Sequence, residues 1–570
     1  MDVNNSYVSV RIEGVDHRKV EIGTTLQQLT QELWPDAWRW ILAAYVDNEL
    51  RELTYPIDQE CTIAFLGLEA KDGYRIYQRS ATFLLIRAAR EILPGCRVTI
   101  EHSLSNGLYG EIHYSRALVE KDLKDIEQRM QEIIERDEPF EKASMAKEAA
   151  RELFLKDNQL DKVNLLKYRE SDYVNIYRSG WFHDYFYGYM TPSAGYLPQL
   201  KLKYYLPGFI LQIPDSRSPE VIPPYKEQPK LASVHREAER WGDILKVGTV
   251  SALNDIVAAG RSGDLIRIAE ALHEKKIAQI ADLISERRDT LRVVLIAGPS
   301  SSGKTTFAQR LSIHMRVNGL QPVAVHLDDY FLDRENTPRN EQGEYDFEAI
   351  EAIDLDLFNT HLAQLIQGQE VEMPTFDFTS GKRQYTGKRL KVAHDQPIIV
   401  EGIHGLNDRL TESIPSGNKF KIYISALTQL NIDDHNRIPT TDVRLLRRMV
   451  RDHQFRSNSA QNTLRRWGSV RQGERVNIFP FQEEADVMFN SALVYELAAI
   501  KGHAEPLLKT IDRWDPGYTE AKRLLKFLSY FLPLGEDDVP ATSILREFIG
   551  GSCFHETIPV ATESRSKEIC

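Results

Sequence analysis

One eight-residue motif constrains the fold of this 570-residue chain more than any other feature. The segment Gly298-Pro-Ser-Ser-Ser-Gly303-Lys304-Thr305 matches the pattern G-x-x-x-x-G-K-[ST] at every fixed position. It follows the apolar run RVVLIA, which predicts a buried strand, and it precedes TTFAQRLSIHMRVNG, which predicts a helix ending before Gly319. A strand, a glycine-rich turn and a helix in this order predict a phosphate-binding loop (P-loop) in a parallel α/β domain.

The residue types in this motif explain how such a loop binds a nucleotide. Glycines let the backbone curl, so that successive N–H groups and the helix N-terminus face the phosphates. Lys304 is placed to reach the β and γ phosphates, and the Thr305 hydroxyl is placed to bind Mg²⁺. We therefore predict ATP and Mg²⁺ as cofactors, with these nucleotide-binding residues: Gly298, Ser300, Ser301, Ser302, Gly303, Lys304, Thr305 and Thr306. A serine-rich turn without a ligand is the alternative.

Two carboxylates follow the next predicted strands. Asp328 follows PVAVHL, and Glu401 ends PIIVE. The carboxyl ends of parallel strands meet at one edge of a sheet, where the P-loop also lies. Asp328 is predicted to take the proton of an acceptor hydroxyl, and with Thr305 and Glu401 to bind Mg²⁺; with Lys304 it forms the predicted catalytic pair. An acidic loop cap is the alternative for Asp328, and Asp329 is expected to point away along an extended chain.

The segment 441–480 is basic in an acidic protein. Nine arginines, no lysine and three acidic residues give it a net charge of +6, whereas the chain carries −12. Arg444, Arg447, Arg448 and Arg451 are spaced to share one flank of a helix. Planar guanidinium groups suit phosphate oxygens, so the pattern predicts a phosphate-facing helix. A solvated helix paired with acidic neighbours is the alternative.

Composition excludes several classes of protein. With 42% hydrophobic and 27% charged residues, the chain is expected to fold rather than to be disordered. No apolar run is long enough to span a membrane, and the N-terminus lacks a signal-peptide pattern. The four cysteines are too scattered for a zinc knuckle or a disulfide framework, so we expect a cytoplasmic protein. The acidic balance argues against nonspecific duplex binding.

Seven segments resemble the uridine kinase and phosphoribulokinase group of P-loop kinases, over about residues 290–490. They are GPSSSGKTT, HLDDYF, YDFEAIEAIDLDLF, MPTFDFTSGKRQY, IIVEGIHGLN, TTDVRLLRRMVRD and NIFPFQEEADVMFN. The resemblance implies that Asp328 is the base on a ribose 5′-hydroxyl and that Glu348 holds the ribose hydroxyls. It implies that Phe331 and Phe376 lie around the nucleoside.

The same resemblance implies a basic lid over the phosphates. Arg447 and Arg451 would contact the nucleotide, and Arg444 the substrate side. Gly381 stands where uridine-cytidine kinases have a histidine that contacts the pyrimidine, which leaves the preferred base open.

The first 230 residues resemble the N-terminal part of threonyl-tRNA synthetase. Residues 7–67 are similar to its ubiquitin-like TGS domain, and residues 75–210 to its editing domain. The four histidine and cysteine positions of the editing site correspond here to Phe83, Arg87, Phe186 and Met190. The resemblance therefore implies a retained fold without catalytic zinc or editing chemistry.

These features predict a multidomain chain with α/β and α+β parts. The predicted regions are a TGS-like domain at 1–70, a degenerate editing-like α+β domain at 71–212, a linker and helical segment at 213–285, a P-loop nucleoside kinase domain with a parallel sheet at 286–550, and a tail at 551–570.

The predicted function is ATP-dependent phosphorylation of a nucleoside 5′-hydroxyl, with a nucleoside as the partner and no membrane. An aromatic slot for the base is expected from Phe331, Tyr345, Phe376 and Phe378, which are core residues in the alternative reading. One competing function is a kinase of another small hydroxyl compound, such as a sugar phosphate or pantothenate. The other is a P-loop regulator that contacts RNA or the ribosome through the N-terminal region. A homo-oligomer is left open.

Overall fold

The computed structural model describes residues 7–15, 17–339, 343, 345–377 and 380–554. Contacts within the chain divide it into two compact units. Unit 1 comprises Met1–Arg261, Thr428–Val443 and Glu505–Leu534, and unit 2 comprises Ser262–Leu427, Arg444–Ala504 and Gly535–Cys570. Two segments from the C-terminal half of the chain thus belong to unit 1. Among the described residues, no helix has the length and apolar character needed to cross a membrane.

Unit 1 begins with a five-stranded sheet in the order β2-β1-β5-β3-β4. Its strands are β1 (Tyr7–Ile12), β2 (Arg18–Glu21), β3 (Ala43–Val46), β4 (Glu49–Glu52) and β5 (Cys61–Leu66). β1 and β5 are parallel, and the other neighbours are antiparallel. The helix α1 (Leu26–Leu33) starts at a reciprocal cap, in which the Thr25 hydroxyl accepts the Gln28 N–H at 3.2 Å and the Thr25 N–H donates to Gln28 Oε1 at 2.8 Å.

The rest of unit 1 contains two antiparallel sheets and several helices. The sheets have the orders β11-β12-β7-β6 and β10-β9-β8. Their strands are β6 (Arg97–Leu104), β7 (Gly107–His113), β8 (Glu141–Ala146), β9 (Tyr173–Ser179), β10 (Phe182–Asp184), β11 (Lys201–Tyr205) and β12 (Gly208–Gln212). The helices are α2 (Lys71–Ile92), α3 (Glu120–Glu135), α4 (Lys147–Lys156), α5 (Leu160–Lys167), α6 (Pro229–Leu245), α7 (Val250–Ala258) and α14 (Tyr518–Leu528).

One hydrophobic core joins the first sheet of unit 1 to the sheet that contains β12. Val10 of β1, Leu85 of α2 and Phe209 of β12 all belong to it. α2 is buried along most of its length, since apolar residues cover several of its faces. The predicted boundary at residues 70 and 71 stays a prediction, because both predicted regions share this core.

Unit 2 is built on a five-stranded parallel sheet in the order β14-β17-β13-β18-β19. Its strands are β13 (Val293–Ala297), β14 (Val323–His326), β17 (Ile398–Glu401), β18 (Lys419–Ser425) and β19 (Val487–Asn490). A separate antiparallel pair is formed by β15 (Val371–Asp377) and β16 (Lys382–Leu390). The helices here are α8 (Ser262–Ser285), α9 (Lys304–Val317), α10 (Leu355–Ile366), α12 (Ala460–Asn477) and α15 (Arg546–Ile549), with the larger parts of α11 (Thr440–Arg456) and α13 (Glu496–Lys509).

The central strand β13 is buried on both faces of the parallel sheet. Val294 and Ile296 belong to one core cluster together with Phe307 of α9. Val293 and Leu295 belong to a second cluster together with Phe358 of α10. Side chains of a strand alternate between the faces, so helices on both sides explain why this strand is apolar throughout. The parallel α/β sheet predicted from the P-loop context is confirmed.

Candidate active site

The P-loop connects β13 to α9 by a sharp turn. Ser301 and Gly303 have positive φ values of 58° and 86°. A Cβ on Gly298 would lie 2.1 Å from the Ile424 carbonyl oxygen of β18, so only glycine fits there. Lys304 begins α9, and its Nζ lies 3.5 Å from the Pro299 carbonyl oxygen. The Lys304 side chain thus folds back over the P-loop.

Thr305, His326 and Glu401 meet beside the P-loop. Register pairing of β14 with β17 sets His326 next to Glu401, and the Nδ1–Oε2 distance is 3.8 Å. The Thr305 hydroxyl donates to Glu401 Oε2 at 3.4 Å. Burial opposes the ionisation of Glu401, but His326 and Lys304 outweigh it and lower the pKa of Glu401. An ionised carboxylate beside a threonine hydroxyl is a donor set that fits Mg²⁺.

Asp328 lies in a 3₁₀ turn, Leu327–Tyr330, directly after β14. Its side chain is open to solvent, yet desolvation by the surrounding protein and the charge of Glu401 raise its pKa to about 6, against the opposing charge of Lys304. Asp329 accepts the backbone N–H of Phe376 in β15 at 3.2 Å. The extended chain expected at these two aspartates is wrong, because the chain tightens into a turn there. The contact of Asp329 is to the backbone of Phe376, one of the predicted site aromatics.

Glu348 belongs to the same group of charges. Burial raises its pKa to about 7, while Arg448 and Lys304 act in the opposite direction and Asp328 adds to the rise. It packs on α12, where a Cβ on Gly473 would lie 2.3 Å from the Glu348 Cβ. A glycine at 473 is therefore what leaves room for this carboxyl group.

Two of the predicted aromatic residues are neighbours. The rings of Phe331 and Phe376 lie 5.7 Å apart at an angle of 58°, and both side chains are half-buried. The ring centres of Tyr345 and Phe347 lie 6.0 Å apart. Phe378 falls outside the described residues. The pair at 331 and 376 offers an aromatic surface near Asp328, and its role with a base stays a prediction.

Gly381 occupies a turn that a histidine would strain. Its φ is 70°, and a Cβ would lie 2.8 Å from Nε of Arg334. The Arg334 N–H also donates to the Gly381 carbonyl oxygen at 2.8 Å. Introducing a histidine here would displace the arginine and strain the backbone, so Gly381→His cannot test base preference cleanly.

Arg444 and Glu474 hold the P-loop at Ser300. Both side chains are buried and form a two-pronged ion pair, in which Arg444 Nη2 lies 2.7 Å from Glu474 Oε2. Arg444 donates to the Ser300 carbonyl oxygen at 3.1 Å, and Glu474 accepts the Ser300 N–H at 3.1 Å. The ion pair thus hydrogen-bonds to both backbone groups of Ser300, the N–H and the carbonyl oxygen.

Arg447 supports the next part of the loop in the same way. It is fully buried, pairs with Glu496, and donates to the Ser491 carbonyl oxygen at 2.9 Å and the Ser301 carbonyl oxygen at 3.4 Å. In this conformation Arg444 and Arg447 contact loop backbone and carboxylates. Their assignment as phosphate or substrate ligands stays a prediction.

Two other arginines of α11 lie closer to solvent. Arg448 donates to the Ser300 hydroxyl at 2.9 Å and keeps 16% of its side chain exposed. Arg451 keeps 14% exposed, and burial lowers its pKa to about 10. The sequence placed Arg448 on the same helical flank but not among the site residues. In the structure it is a direct neighbour of the P-loop.

Sequence reasoning missed His326 and Glu474. Glu474 is 174 residues from Ser300 in the chain, so no local spacing links them. A faint signal existed, because Glu474 is one of only three acids in the arginine-rich segment.

In unit 1, the four residues that the sequence resemblance predicts in place of editing-site ligands lie in an aromatic cluster and an ion pair. The ring of Phe83 lies 5.1 Å from Phe182 and 6.1 Å from Phe186, and Met190 is buried nearby in the same core. Arg87 pairs with Glu138 at 2.7 Å. Within the part of the chain that the structure describes, no group of three or more His, Cys, Asp or Glu side chains could hold a metal.

Comparison with known proteins gives a different result for each part of the chain. Residues 293–498 match the model of the Phosphoribulokinase / Uridine kinase family. The solved structure of a possible uridine kinase from Bacillus stearothermophilus is 17% identical, with a match that covers 37% of this chain and 97% of that chain at a TM-score of 0.25.

The N-terminal region is similar to threonine–tRNA ligases. That of Burkholderia lata is 30% identical over 196 residues, which are 34% of this chain and 31% of the ligase. That of Halorhodospira halophila is 31% identical over 179 residues, which are 31% of this chain and 28% of the ligase. The chain thus spans about a third of the length of these relatives. The protein therefore joins an N-terminal region similar to threonine–tRNA ligases to a C-terminal region that matches the phosphoribulokinase and uridine kinase family.

Proposed function

We propose that this protein transfers the γ-phosphoryl group of ATP to the 5′-hydroxyl of a nucleoside, with Mg²⁺ as the metal. The observation that carries the proposal is the meeting of Lys304, Asp328 and Glu401 at the mouth of a complete P-loop, where Lys304 favours the ionised form of both carboxyl groups and Glu401 raises the pKa of Asp328. The match of residues 293–498 to the phosphoribulokinase and uridine kinase family supports it.

The residues fit both cofactors. The Ser301 and Ser302 hydroxyls are buried and have no hydrogen-bond partner among the described residues, which leaves loop donors for phosphate oxygens. Thr305 and Glu401 would hold Mg²⁺, with Asp328 beside them. When bound, Mg²⁺ supplies positive charge that offsets the negative charge of the phosphates.

The proposed step needs one base and one fixed cation from the chain. The acceptor oxygen forms a bond to the γ-phosphorus while the bond from that phosphorus to the ADP oxygen breaks. The Asp328 carboxylate accepts the proton of the attacking hydroxyl, and Lys304 balances charge on the phosphate oxygens. Glu348 would accept hydrogen bonds from the ribose hydroxyls, and the Phe331–Phe376 pair would contact the base.

The experiment is ATP consumption by the full chain against a panel of nucleosides, with sugars, sugar phosphates and pantothenate as controls. The expected result is ADP formation that depends on one class of nucleoside, together with a nucleoside 5′-monophosphate. Turnover with a sugar phosphate or pantothenate alone would assign the site to another acceptor. ATP binding without turnover on any compound would contradict a kinase.

A second candidate is an RNA-binding regulator that uses the P-loop as a switch. The similarity of the N-terminal region to threonine–tRNA ligases favours it, because those proteins are named for tRNA. RNA binding by the full chain that changes when ATP is added, without phosphorylation of any small molecule, would support this candidate over the kinase.

A further inference from the structure

The C-terminal part of unit 2 places a carboxylate at the N-terminus of α9. Glu547, in α15, accepts hydrogen bonds through Oε2 from the Thr306 N–H at 3.2 Å and from the Thr306 hydroxyl at 2.9 Å. Its side chain is buried, with 6% of the residue exposed. The contact joins residues 241 positions apart.

The partner of Glu547 is a group that a P-loop normally offers to its ligand. Thr306 is in the first turn of α9, where N–H groups have no acceptor within the helix. Such groups, together with the partial positive charge of the helix end, form an anion site. In this structure the Glu547 carboxylate accepts the hydrogen bonds that an anionic ligand would otherwise accept.

The backbone that carries Glu547 is fixed. Ile544 packs so closely on the P-loop that a Cβ on Gly303 would lie 2.5 Å from its Cγ2. Phe548 lies against Arg447, whose guanidinium carbon is 4.9 Å from the ring centre. Both apolar residues belong to the core under the parallel sheet. These contacts hold the backbone on both sides of Glu547, and Arg451 Nη1, 3.9 Å from Oε1, is an alternative partner for its carboxylate.

The charge of Glu547 is less compensated than that of the other loop carboxylate. Glu474 forms a two-pronged ion pair with Arg444 and a further pair with Arg471. Among the described residues, the ion pair of Glu547 is the long contact with Arg451. A negative charge so placed repels phosphate oxygens over a distance of a few ångströms.

We propose that Glu547 competes with the phosphates of the donor for the N-terminus of α9, and so sets the affinity of the P-loop for ATP. The proposal rests on the proposed function only in taking the P-loop as the ATP site. Binding of ATP turns the Glu547 carboxylate away from Thr306 and towards Arg451. The backbone of residues 543–549 stays in place.

The test is the Kd of ATP, with and without Mg²⁺, measured by calorimetry on the full chain. Glu547→Gln removes the charge and keeps the shape, and it should lower Kd about tenfold, the order expected for removal of one nearby negative charge. Glu536→Gln makes the same charge change in the same C-terminal segment, where Glu536 pairs with Arg546 at 3.4 Å, and it should leave Kd unchanged. Glu547→Asp shortens the side chain by one methylene and moves the charge away from Thr306. Its Kd should lie between those of the wild type and Glu547→Gln.

The outcomes separate this proposal from the kinase proposal. Equal ATP affinity in wild-type protein and in Glu547→Gln, or weaker affinity in the variant, overturns the competition and leaves the kinase standing. If Glu547→Gln fails to fold, Glu547→Asp decides, since affinity no better than that of the wild type overturns the proposal. Absence of ATP binding in all forms overturns both. A lower Kd without nucleoside phosphorylation supports the competition and contradicts the kinase.

Discussion

Two carboxylates a short distance apart in the site have opposite pKa shifts. Desolvation and the charge of Glu401 raise the pKa of Asp328 to about 6, while His326 and Lys304 lower the pKa of Glu401. Separate environments of this kind assign separate roles to chemically similar groups. Glu401 suits a permanent negative charge beside Thr305, and Asp328 suits a group that gains and loses a proton.

Replacing Asp328 by asparagine tests that assignment. The side chain keeps its shape but can no longer accept a proton, so kcat should fall by at least about 10²-fold. ATP affinity should change much less, because the P-loop is intact. Asp329→Asn is the matched control, since an asparagine oxygen still accepts the Phe376 N–H and kcat should stay within a few-fold of wild type. Steady-state kinetics measure kcat, and a parallel binding experiment measures the affinity for ATP. The assignment is wrong if Asp329→Asn is the damaging change.

Two buried histidines of unit 1 predict how its stability depends on pH. His102 and His235 stack 3.6 Å apart, next to Tyr109, Glu239, Arg236 and Arg437. Burial lowers both pKa values, that of His235 to about 3, with Arg437 adding to the effect.

In the unfolded chain each of these histidines binds a proton near pH 6.5, whereas in the folded unit it does not. Acid therefore favours the unfolded chain. The contribution of the two histidines is therefore full above pH 6.5 and falls by about 1.4 kcal/mol per pH unit for each histidine as the pH drops towards 3. Burial raises the pKa of the neighbouring Glu239 to about 8, so the folded unit protonates this carboxyl group first, which offsets part of the loss down to about pH 4.5. Urea denaturation at pH 7.0, 6.0 and 5.0 measures it. The slope should shrink in His235→Phe and persist in a variant of the exposed His113, and equal slopes in all three proteins would refute the account.

At the scale of elements, local signals in the sequence were sufficient for the strands and helices around the P-loop. The apolar run before Gly298 is β13, the predicted helix is α9, and Gly319 follows it with a φ of 83°. The apolar runs before Asp328 and at Glu401 contain β14 and β17. β17 is apolar because it is buried on both faces, whereas β14 is the edge strand and only Val325 of it is buried. Contacts such as Glu474 with Ser300 and Glu547 with Thr306 could not be predicted, since they depend on how distant elements pack.

The packing of α12 on Glu348 predicts different effects for two glycines of one helix. A Cβ on Gly473 would lie 2.3 Å from the Glu348 Cβ, whereas a Cβ on Gly468 meets nothing within 4 Å. Gly473→Ala should push Glu348 out of place and raise the acceptor KM about tenfold or more, with ATP affinity little changed. Gly468→Ala should leave KM unchanged and raise stability by about 0.5–1 kcal/mol, because alanine favours the helix. Equal KM values in the two variants would remove Glu348 from the acceptor site.

At the scale of the whole molecule, unit 1 is assembled from three separate stretches of chain. Arg75 from the first stretch pairs with Glu520 from the third at 2.7 Å, and Arg523 pairs with Asp442 from the second at 2.7 Å. The similarity to threonine–tRNA ligases described the first stretch only. Nothing in the sequence showed that residues after the P-loop complete this unit, because their partners are up to several hundred positions away.

Asp433 offers the sharpest test of this assembly. It is fully buried and accepts a hydrogen bond from the fully buried Lys162 at 2.6 Å, although the two belong to different stretches of unit 1. Asp433→Asn removes one carboxylate from the Lys162 ammonium, with Asp184 at 3.3 Å and Asp161 at 3.7 Å remaining, and should destabilise unit 1 by about 3 kcal/mol. Six of the seven tryptophans lie in unit 1, so fluorescence during urea denaturation reports mainly on it. Glu32→Gln, in the exposed pair with Arg18, should cost less than about 1 kcal/mol. Similar losses in both variants would show that residues 428–443 are not an integral part of unit 1.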